Sequence, residues 1–387
     1  MRILFLSQRV PYPPNRGDKI TTWRLIERMG REHEVRVVAF AHDEADEKAA
    51  QELRARGFEI ATFRPRGKLA ALPRLLGSKP MTLVVYGSGR LQGKVDEWAG
   101  ESDLAYAYSS SMGAFLLHHE LPRVMHFAEL DSDKWRQYAE KARRPMRWVY
   151  AREFRTLRRF ETELAHAVDE NVFCTPLEEQ IFRREIPGAP SCVLRNGVDL
   201  EAYRPSPETA EPGHLVFVGV MNYLPNVEGC RWFCDEVLPR VRERVPAARL
   251  SIVGAHPTPE VAKLADREGV EVTGFVDDPR DWLSRACVSV APLRIARGIQ
   301  NKVLEALAMG LPVVGTTAAT QGVECETGRD LLVADSAADQ VDAIVSLLED
   351  RSAARALGAR GRAFVEERYA WERCLAPLDG LLRRLAP

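Results

Sequence analysis

Short apolar runs alternate with amphipathic stretches along the chain. In the first half, helical patterns such as 20–29 and 44–56 separate runs that are typical of buried strands, at 3–7, 35–40, 59–63, 104–108, 123–127 and 171–174. The alternation stops in a polar, proline-rich segment, YRPSPETAEPGH, and then starts again. Strands that alternate with helices form parallel sheets with helices on both faces.

The second half repeats the pattern, with apolar runs at 215–219, 250–254, 270–275, 288–293, 311–316 and 330–334. We therefore predict an α/β protein with two Rossmann-like, doubly wound domains, at 1–199 and 214–370, joined by a linker at 200–213. In such sheets ligands bind outside the carboxyl ends of the strands. The dinucleotide fingerprint G-x-G-x-x-G is absent from both halves, which argues against an NAD enzyme.

Composition agrees with this organisation. The 387 residues exceed what one core usually holds. The 54 Lys and Arg residues nearly cancel the 55 Asp and Glu residues, so the overall charge does not favour a nucleic-acid partner. The seven cysteines are scattered and include no C-x-x-C pair, which fits a reducing compartment better than a disulfide framework or a zinc site.

Targeting signals are not predicted. The apolar run at the N-terminus is too short for the core of a signal peptide. No run approaches the roughly 18 apolar residues that span a bilayer. We therefore expect a cytoplasmic protein that starts at Met1.

The segment RGIQNKVLEALAMGLPVVGTT, from position 297, is the richest in candidate chemistry. It predicts a helix over about 299–309, whose free N–H groups suit an anion such as a diphosphate. Asn301, Lys302 and Glu305 share one side of that helix. Lys302 could neutralise phosphate and Glu305 could accept hydrogen bonds from a sugar diol. A solvated helix face with a Lys–Glu pair would explain the same residues.

This segment resembles the nucleotide-sugar signature of retaining GT-B glycosyltransferases of family 4. There, two glutamates separated by seven residues precede a P-V-V strand. Glu305 matches the second glutamate, which in that family binds the ribose hydroxyls of the donor nucleotide. The first glutamate falls on Arg297, so a cation stands where the family has an anion. The resemblance also implies that the donor is lined by Gly298, Ile299, Gln300, Asn301 and Lys302.

Three further stretches extend the resemblance over nearly the whole chain. LRNGVDLEAYRP is similar to the family hinge N-G-V-D-x-x-x-F-x-P, while VFCTPLEEQIF and YAWER resemble segments upstream and near the C-terminus. In the hinge we predict a turn with positive φ at Asn196 and Gly197, and a cap by Asp199. The resemblance implies a GT-B fold, with two domains facing a cleft and a last helix, 371–387, that returns to the first domain.

The loop after LVFVG departs from the family. The family commonly has F-V-G-R and a lysine some six residues later, and both cations hold the diphosphate. Here V-M-N-Y follows Gly219, and Asn226 stands in place of the lysine. Gly219 and Asn222 remain candidate donor contacts, and we hypothesise that Arg297 and Lys302 replace the missing cations. The V-M-x-Y-x-P-N run and QNKVL resemble a subgroup of sugar transferases linked to exopolysaccharide and PEP-CTERM/exosortase gene neighbourhoods.

The loop SQRVPYPPNRGDKITTW, between the first strand and the first helix, is stiffened by three prolines. In the family this loop lies beside the donor phosphates and the acceptor. Gly17 matches one family glycine, Asp18 replaces a second, and Arg16 and Lys19 could contact phosphate. A rigid polar turn before a helix is the alternative explanation.

Polar residues follow the strand at 123–127. In the family a histidine near this position hydrogen-bonds the donor sugar, and either His126 or Asp131 could do so here. Alternatively, Ser132 or Asp133 only caps the helix that we predict to begin near Lys134. Asp131 and Asp133 resemble a D-x-D element, but GT-B enzymes generally do not depend on a metal, so we predict no metal site.

The strongest local excess of Lys and Arg lies in KARRPMRWVYAREFRTLRRFE, at 141–161. A basic amphipathic helix with aromatic residues can lie on an anionic membrane surface or receive a lipid-diphosphate acceptor. An ordinary exposed helix with its aromatics in the core would show the same pattern.

The sequence thus predicts transfer of a sugar from a nucleotide diphosphate sugar to an acceptor hydroxyl, such as that of a glycan or lipid-linked glycan. The resemblance implies retention at the anomeric carbon, no protein nucleophile, no cofactor beyond the donor, and a role in exopolysaccharide or other cell-surface glycan biosynthesis. Two alternatives stay open: a nucleotide-sugar epimerase of GT-B-like fold, and a degenerate partner protein without activity.

Overall fold

The computed structural model describes residues 1–67, 77–205, 210–296 and 298–386, and only the backbone of Lys141. The chain divides into two compact units. Unit 1 comprises Met1–Arg195 and Leu375–Pro387, and unit 2 comprises Asn196–Cys374. Part of the predicted linker, 206–209, lies outside the described residues.

Unit 1 contains a parallel sheet. Its strands are β1 (Arg2–Ser7), β2 (Glu34–Phe40), β3 (Glu59–Phe63), β4 (Leu104–Tyr108), β5 (Arg123–Ala128), β6 (Glu170–Phe173) and β7 (Ser191–Val193). They pair in the order β3-β2-β1-β4-β5-β6-β7. The helical segments around this sheet are α1 (Gly17–Met29), α2 (Glu44–Ala55), α3 (Met81–Tyr86), α4 (Gly89–Ala99), α5 (Ser110–Gly113), α6 (Asp131–Lys141), α7 (Met146–Ala167) and α8 (Pro176–Glu185).

Unit 2 contains a second parallel sheet. Its strands are β8 (His214–Val218), β9 (Arg249–Val253), β10 (Val270–Gly274), β11 (Val288–Ala291), β12 (Val313–Gly315) and β13 (Leu332–Val333), in the order β10-β9-β8-β11-β12-β13. The helical segments are α9 (Leu224–Trp232), α10 (Leu238–Arg244), α11 (Pro259–Ala262), α12 (Arg280–Arg285), α13 (Asn301–Ala308), α14 (Thr317–Thr320), α15 (Ala337–Glu349) and α16 (Arg351–Arg368). The last helix, α17 (Trp371–Leu385), begins in unit 2, and its residues from Leu375 onward belong to unit 1.

Strand order reverses at the same place in both sheets, between β1 and β4 and between β8 and β11. In doubly wound folds this switch point opens the crevice in which ligands bind. The two sheets confirm the predicted fold class. The central strands read as apolar runs because helices cover both faces; Ile3, Leu4, Phe5 and Leu6 of β1 are all fully buried.

The hinge sequence N-G-V-D packs against the Y-A-W segment. The N–H of Val198 donates to the carbonyl of Tyr369 at 2.7 Å. The predicted positive φ at Asn196 and Gly197 is wrong, since neither residue adopts one. Gly197 is needed for space instead: a Cβ there would lie 2.9 Å from the Cα of Trp371. The predicted cap is confirmed, because Asp199 Oδ1 accepts from the N–H of Ala202 at 3.0 Å.

Candidate active site

The switch point of unit 2 brings Lys302 and Asn226 together. Lys302 lies in the first turn of α13, which follows β11, and Asn226 lies in the first turn of α9, which follows β8. Lys302 Nζ donates to Asn226 Oδ1 at 2.6 Å, and Asn226 Nδ2 donates to the carbonyl of Val220 at 2.9 Å. Although Lys302 and Asn226 are 76 positions apart in the sequence, their contact places the Lys302 ammonium group at the carboxyl edge of the sheet.

The surroundings of this ammonium are largely apolar. Lys302 Nζ lies 4.4 Å from the centroid of the buried Phe217 ring. Burial lowers the pKa of Lys302 to about 8, although Cys230 and Glu305 act in the opposite direction. A cation in such surroundings interacts with an approaching anion more strongly than one in water. Lys302 is therefore suited to neutralising a phosphate group.

Gly219 provides the space for this contact. A Cβ at Gly219 would lie 2.7 Å from Asn226 Nδ2 and 3.0 Å from Lys302 Nζ. Gly254, which follows β9, packs from the other side: its φ is +146°, and a Cβ there would lie 1.8 Å from the carbonyl oxygen of Gly219. At the switch point, the backbones of Gly219 and Gly254 are therefore in direct contact, with no room for a side chain at either residue. Asn222, further along the same loop, is exposed.

Glu305 follows Lys302 on α13 and is half-buried. Burial raises its pKa to about 7, while a hydrogen bond from the Tyr203 hydroxyl and the charge of Lys302 lower it. The carboxylate thus lies close to a balance between its protonated and ionised forms near neutral pH. In its ionised form it can accept hydrogen bonds from a diol.

The entrance of α13 is held by the segment around α14. Gln321 Nε2 donates to the carbonyl of Ala296 at 2.9 Å. Gly322 lies so close that a Cβ on it would be 2.1 Å from the carbonyl oxygen of Gly298, which has a φ of +60°. The predicted contact residue Arg297 lies outside the described residues.

Asn301 carries an unsatisfied acceptor at this entrance. Among the described residues, none donates to the buried Oδ1 of Asn301. The remaining predicted residues of this stretch, Ile299 and Gln300, are half-buried beside it. The predicted donor-binding residues of unit 2 that the structure describes therefore lie in the loops after β8 and β11 and in the first turns of α13.

In unit 1, the loop after β1 carries the predicted phosphate contacts. Arg16 precedes α1, is exposed with the adjacent Gly17, and pairs with Asp18 at 2.9 Å. Arg9 also reaches Asp18, at 3.3 Å. Lys19 was predicted to contact phosphate, but it is buried and its Nζ lies 2.6 Å from Asp46 Oδ1. Its ammonium group is therefore paired with Asp46 instead.

His126 is a core residue. It is fully buried on β5, with Nδ1 2.7 Å from the Tyr106 hydroxyl and Nε2 3.5 Å from Cys174 Sγ. Burial lowers the pKa of His126 to about 3, so the ring stays neutral. A contact with a sugar, predicted for His126, is incompatible with this enclosure. Periodicity marked it as a strand residue but could not tell how deeply the strand lies.

Asp131 keeps an accessible carboxylate. It is the first residue of α6, about a quarter of its side chain is exposed, and its Oδ2 accepts from Ser110 Oγ at 2.8 Å. Lys134 Nζ lies 3.7 Å from the other oxygen. Of the two residues predicted to contact the sugar, Asp131 is the one that a ligand can reach.

The alternative in which Ser132 or Asp133 only caps this helix is wrong, because α6 begins at Asp131 and its N-cap residue, Leu130, accepts no side-chain capping hydrogen bond. The backbone N–H and the hydroxyl of Ser132 both donate to the buried carboxylate of Glu161, from α7. Burial raises the pKa of Glu161 to about 8, and Asp131 raises it further, while its hydrogen bonds with Ser132 lower it. Asp133 pairs with Arg158 at 3.0 Å.

Charged residues of unit 1 converge around Tyr86, at the end of α3. Burial raises the pKa of Tyr86, and Arg9, Asp131, Arg16 and Lys134 all lie close enough to act on it. The loop after β1 and the start of α6 therefore both carry charges close to Tyr86.

The basic segment 141–161 is not one helix. The chain leaves α6 after Lys141 and enters α7 at Met146, after a cis bond between Arg144 and Pro145. The buried face of α7 is structural: Glu153 accepts from the N–H groups of Met81 and Thr82 at 2.7 and 2.9 Å.

The start of α7 remains outside the core. Met146 is 43% exposed and Trp148 is 50% exposed. Around them lie the exposed Arg143, Arg144 and Arg147. We call these five residues the Arg–Trp patch. No helix in the described part of the chain is long and apolar enough to cross a bilayer, and no group of metal-ligating side chains occurs there.

This architecture is that of the GT-B glycosyltransferases. Sucrose-phosphate synthase (tll1590) from Thermosynechococcus elongatus superposes with a TM-score of 0.73 at 16% identity, covering 100% of this chain and 99% of that chain. Alr3699/HepE of Anabaena, in complex with UDP, gives the same TM-score and identity over 99% of this chain and all of that chain. At these identities the likeness concerns the fold alone.

Sequence comparison finds a family match in unit 2. Residues 212–350 match the model of the family described as Glycosyl transferases group 1. Over 219 residues the chain is 32% identical to a GDP-mannose-dependent alpha-(1-6)-phosphatidylinositol monomannoside mannosyltransferase of Mycobacterium tuberculosis (strain CDC 1551 / Oshkosh). That alignment covers 51% of this chain and 57% of the relative, so the chain spans little more than half the length of the curated relatives it matches.

Two contributors to the site were not foreseen from the sequence. Tyr203 was predicted only to belong to the hinge, yet its hydroxyl donates to Glu305. Glu161 was predicted to lie in a basic surface helix, yet it accepts from the backbone N–H of Ser132 at the start of α6. For Tyr203, the sequence offered one signal, a tyrosine where the hinge pattern has Phe. For Glu161, the sequence offered no signal.

Proposed function

We propose that this chain transfers a sugar from a nucleotide diphosphate sugar to an acceptor hydroxyl, with retention of the anomeric configuration. The observation that carries the proposal is the desolvated ammonium of Lys302, 2.6 Å from Asn226 at the switch point, with Glu305 further along the same helix. The mycobacterial relative is named for GDP-mannose, and the Anabaena protein has been crystallised with UDP and UDP-glucose.

The proposed chemistry is electrostatic. As the bond between sugar and diphosphate breaks, negative charge grows on the departing phosphate. Lys302 and the free N–H groups at the start of α13 would stabilise that charge from low-dielectric surroundings. Glu305 would hold the ribose hydroxyls and so fix the diphosphate against Lys302. In this proposal the chain supplies no nucleophile, and neither a metal nor a cofactor is required.

The geometry supports one half of the predicted replacement of cations. The family commonly has a lysine where this chain has Asn226, and the ammonium of Lys302 reaches the side chain of Asn226. Arg297 stays the proposed second cation. For unit 1, Arg16 is proposed to contact the donor phosphates and Gly17 to lie beside them, and Asp131 is proposed to contact the donor sugar, as the resemblance implies.

The acceptor is proposed to be a glycan or lipid-linked glycan of cell-surface biosynthesis, used at the cytoplasmic face of a membrane. The Arg–Trp patch supports this part, because it combines three cations with an exposed indole and thioether. Such a combination suits an anionic lipid surface.

The decisive experiment is a screen of the purified protein against a panel of nucleotide diphosphate sugars, read as released nucleotide, with and without EDTA. We expect release with one or a few donors, insensitivity to EDTA, and loss of release in Glu305→Ala. NMR of the product gives its anomeric configuration. Release of no nucleotide from any donor would favour the degenerate partner, and formation of an epimer without an acceptor would favour the epimerase.

A further inference from the structure

A short segment of unit 2, 199–205, forms a rigid support beside α13. Asp199 closes its first turn, accepting from the N–H groups of Glu201 and Ala202. Arg280 Nη1 donates to the carbonyl of Ala202 at 3.1 Å. At the far end, Pro205 lies 3.3 Å from the position that a Cβ on Gly310 would take, just beyond α13.

One guanidinium joins this segment to α13. Arg362 Nη1, from α16, donates to the carbonyl of Tyr203 at 2.5 Å and also to the carbonyl of Ala308. Ala308 is the last residue of α13. The backbone of Tyr203 and the end of α13 are therefore held to the same group, and their separation is fixed.

The side chain of Tyr203 uses this fixed position. Its hydroxyl donates to the carboxylate of Glu305, which lies one turn before Ala308. Burial, followed by the charge and the hydrogen bond of Glu305, raises the pKa of Tyr203, so the phenol stays protonated and remains a donor. The phenol leaves the second carboxylate oxygen available for a ligand.

We propose that Tyr203 is a positioning residue that orients the Glu305 carboxylate toward the ribose hydroxyls of the donor nucleotide. The proposal rests on the function proposed above. In the family hinge pattern N-G-V-D-x-x-x-F-x-P, the position of Tyr203 is Phe. The hydroxyl is thus an addition of this chain, and its removal leaves a side chain that the hinge accommodates.

The same hydrogen bond affects the charge of Glu305. The charged groups that face the pair are Lys302 on α13, and Arg280 and Asp278, which act on Tyr203; Arg362 lies at the backbone. Since the hydrogen bond from Tyr203 lowers the pKa of Glu305, its loss raises that pKa further. The pH below which donor binding weakens then moves upward.

The test uses Tyr203→Phe and Tyr203→Leu, with Glu305→Gln as reference and Tyr369→Phe as control. Tyr369 is another buried tyrosine of unit 2, and its oxygen accepts from the N–H of Glu324. The probes are UDP and GDP, each with its 2′-deoxy form, titrated calorimetrically, together with donor KM and kcat across pH. Thermal unfolding verifies that each variant is folded.

We expect the wild type to bind the ribonucleotide at least about tenfold more tightly than its 2′-deoxy form, as for a hydrogen bond to a charged group. Both Tyr203 variants should lose most of this preference and raise donor KM with little change in kcat. The pH below which donor KM rises should also be higher than in the wild type. Tyr369→Phe should do none of these, even if it unfolds at a lower temperature.

Two results would overturn the inference, and they differ. If Glu305→Gln loses the preference for ribose while both Tyr203 variants keep it and the wild-type pH limb, Tyr203 does not position the carboxylate. If Glu305→Gln itself keeps the preference, the proposed ribose contact of Glu305 is wrong, and the role of Tyr203 falls with it.

Discussion

Lys302 Nζ and Asn226 Oδ1 lie 2.6 Å apart, although one residue begins α13 and the other lies in α9. The contact places a cation from one loop at the position where the resemblance predicts a lysine from another. The charge at the carboxyl edge of β8 is thus kept while its carrier is changed.

Relocating this charge is the first prediction. Lys302→Met should raise donor KM by about 10- to 100-fold, the range of a lost hydrogen bond to a charged group, and Lys302→Glu by more. Adding Asn226→Lys to Lys302→Met should restore part of the loss, because it returns an ammonium to the same place. Lys263→Met, at an exposed lysine of unit 2, is the control. An unchanged donor KM in Lys302→Met would remove the assignment.

The pH dependence of donor binding should follow Glu305. Burial raises its pKa to about 7, so the carboxylate becomes protonated, and loses acceptor capacity, as the pH falls through that value. We expect donor KM to rise below about pH 7 in the wild type and to be flat there in Glu305→Gln. The measurement is KM at saturating acceptor over a pH series. If donor KM still rises below about pH 7 in Glu305→Gln, another titrating group causes that rise.

Glu161 should govern part of the stability of unit 1. Glu161→Ala leaves the N–H and hydroxyl of Ser132 without their acceptor, at a cost of about 2–3 kcal/mol in the free energy of unfolding. Its pKa is raised from 4.5 to about 8. The folded state therefore binds the proton more tightly, and wild-type stability should fall as pH rises between those values. Urea unfolding of wild type and Glu161→Gln measures this slope, which the glutamine variant should lack.

His126 should influence stability and leave donor binding unchanged. Replacing His126 with Leu leaves the Tyr106 hydroxyl without its partner and should cost about 1–3 kcal/mol. Burial lowers the folded pKa from 6.5 to about 3, so wild-type stability is lost progressively as the pH falls below 6.5. Donor KM, measured at a temperature where both proteins are folded, is the discriminating quantity. If this replacement raises donor KM while the protein stays folded, His126 contributes to donor binding after all.

The Arg–Trp patch should bind anionic vesicles. We expect flotation with vesicles that contain phosphatidylglycerol, weakened by salt and lost when Arg143, Arg144 and Arg147 are changed to Ser, at about 1 kcal/mol for each cation. Met146→Ser with Trp148→Ser should also weaken it. Arg159→Ser, at a highly exposed arginine of the same helix, and Phe275→Ser, at an exposed apolar residue of unit 2, are matched controls. Equal flotation on neutral vesicles would contradict the electrostatic part.

Strand positions were predictable because apolar runs and their spacing report burial directly; β1 and β8 begin within one residue of the predicted runs. The short strand β7 was missed, since three half-buried residues carry no such run. The basic segment is divided between α6, which ends at Lys141, and α7, which begins at Met146. The spacing of its charged residues continues across this break and therefore did not reveal it.

Side-chain contacts were harder to foresee. Lys302 could be assigned to phosphate from its place at a helix start, but its link to Asn226 depends on strand order. Gly197 was read as a turn residue, whereas the reason for it lies at Trp371, far along the chain. His126 and Asp131 stood equally close to the end of a strand, and only depth separates them.

The backbone contact between Gly219 and Gly254 limits how this protein can be redesigned. A single methyl group on Gly254 would overlap the carbonyl of Gly219, and one on Gly219 would displace Asn226 and Lys302. Mutagenesis aimed at new donors should therefore leave both glycines untouched and vary Asn222 and Tyr223, whose side chains are exposed on the same loop. A library built on that loop explores specificity while the cation beneath it stays in place.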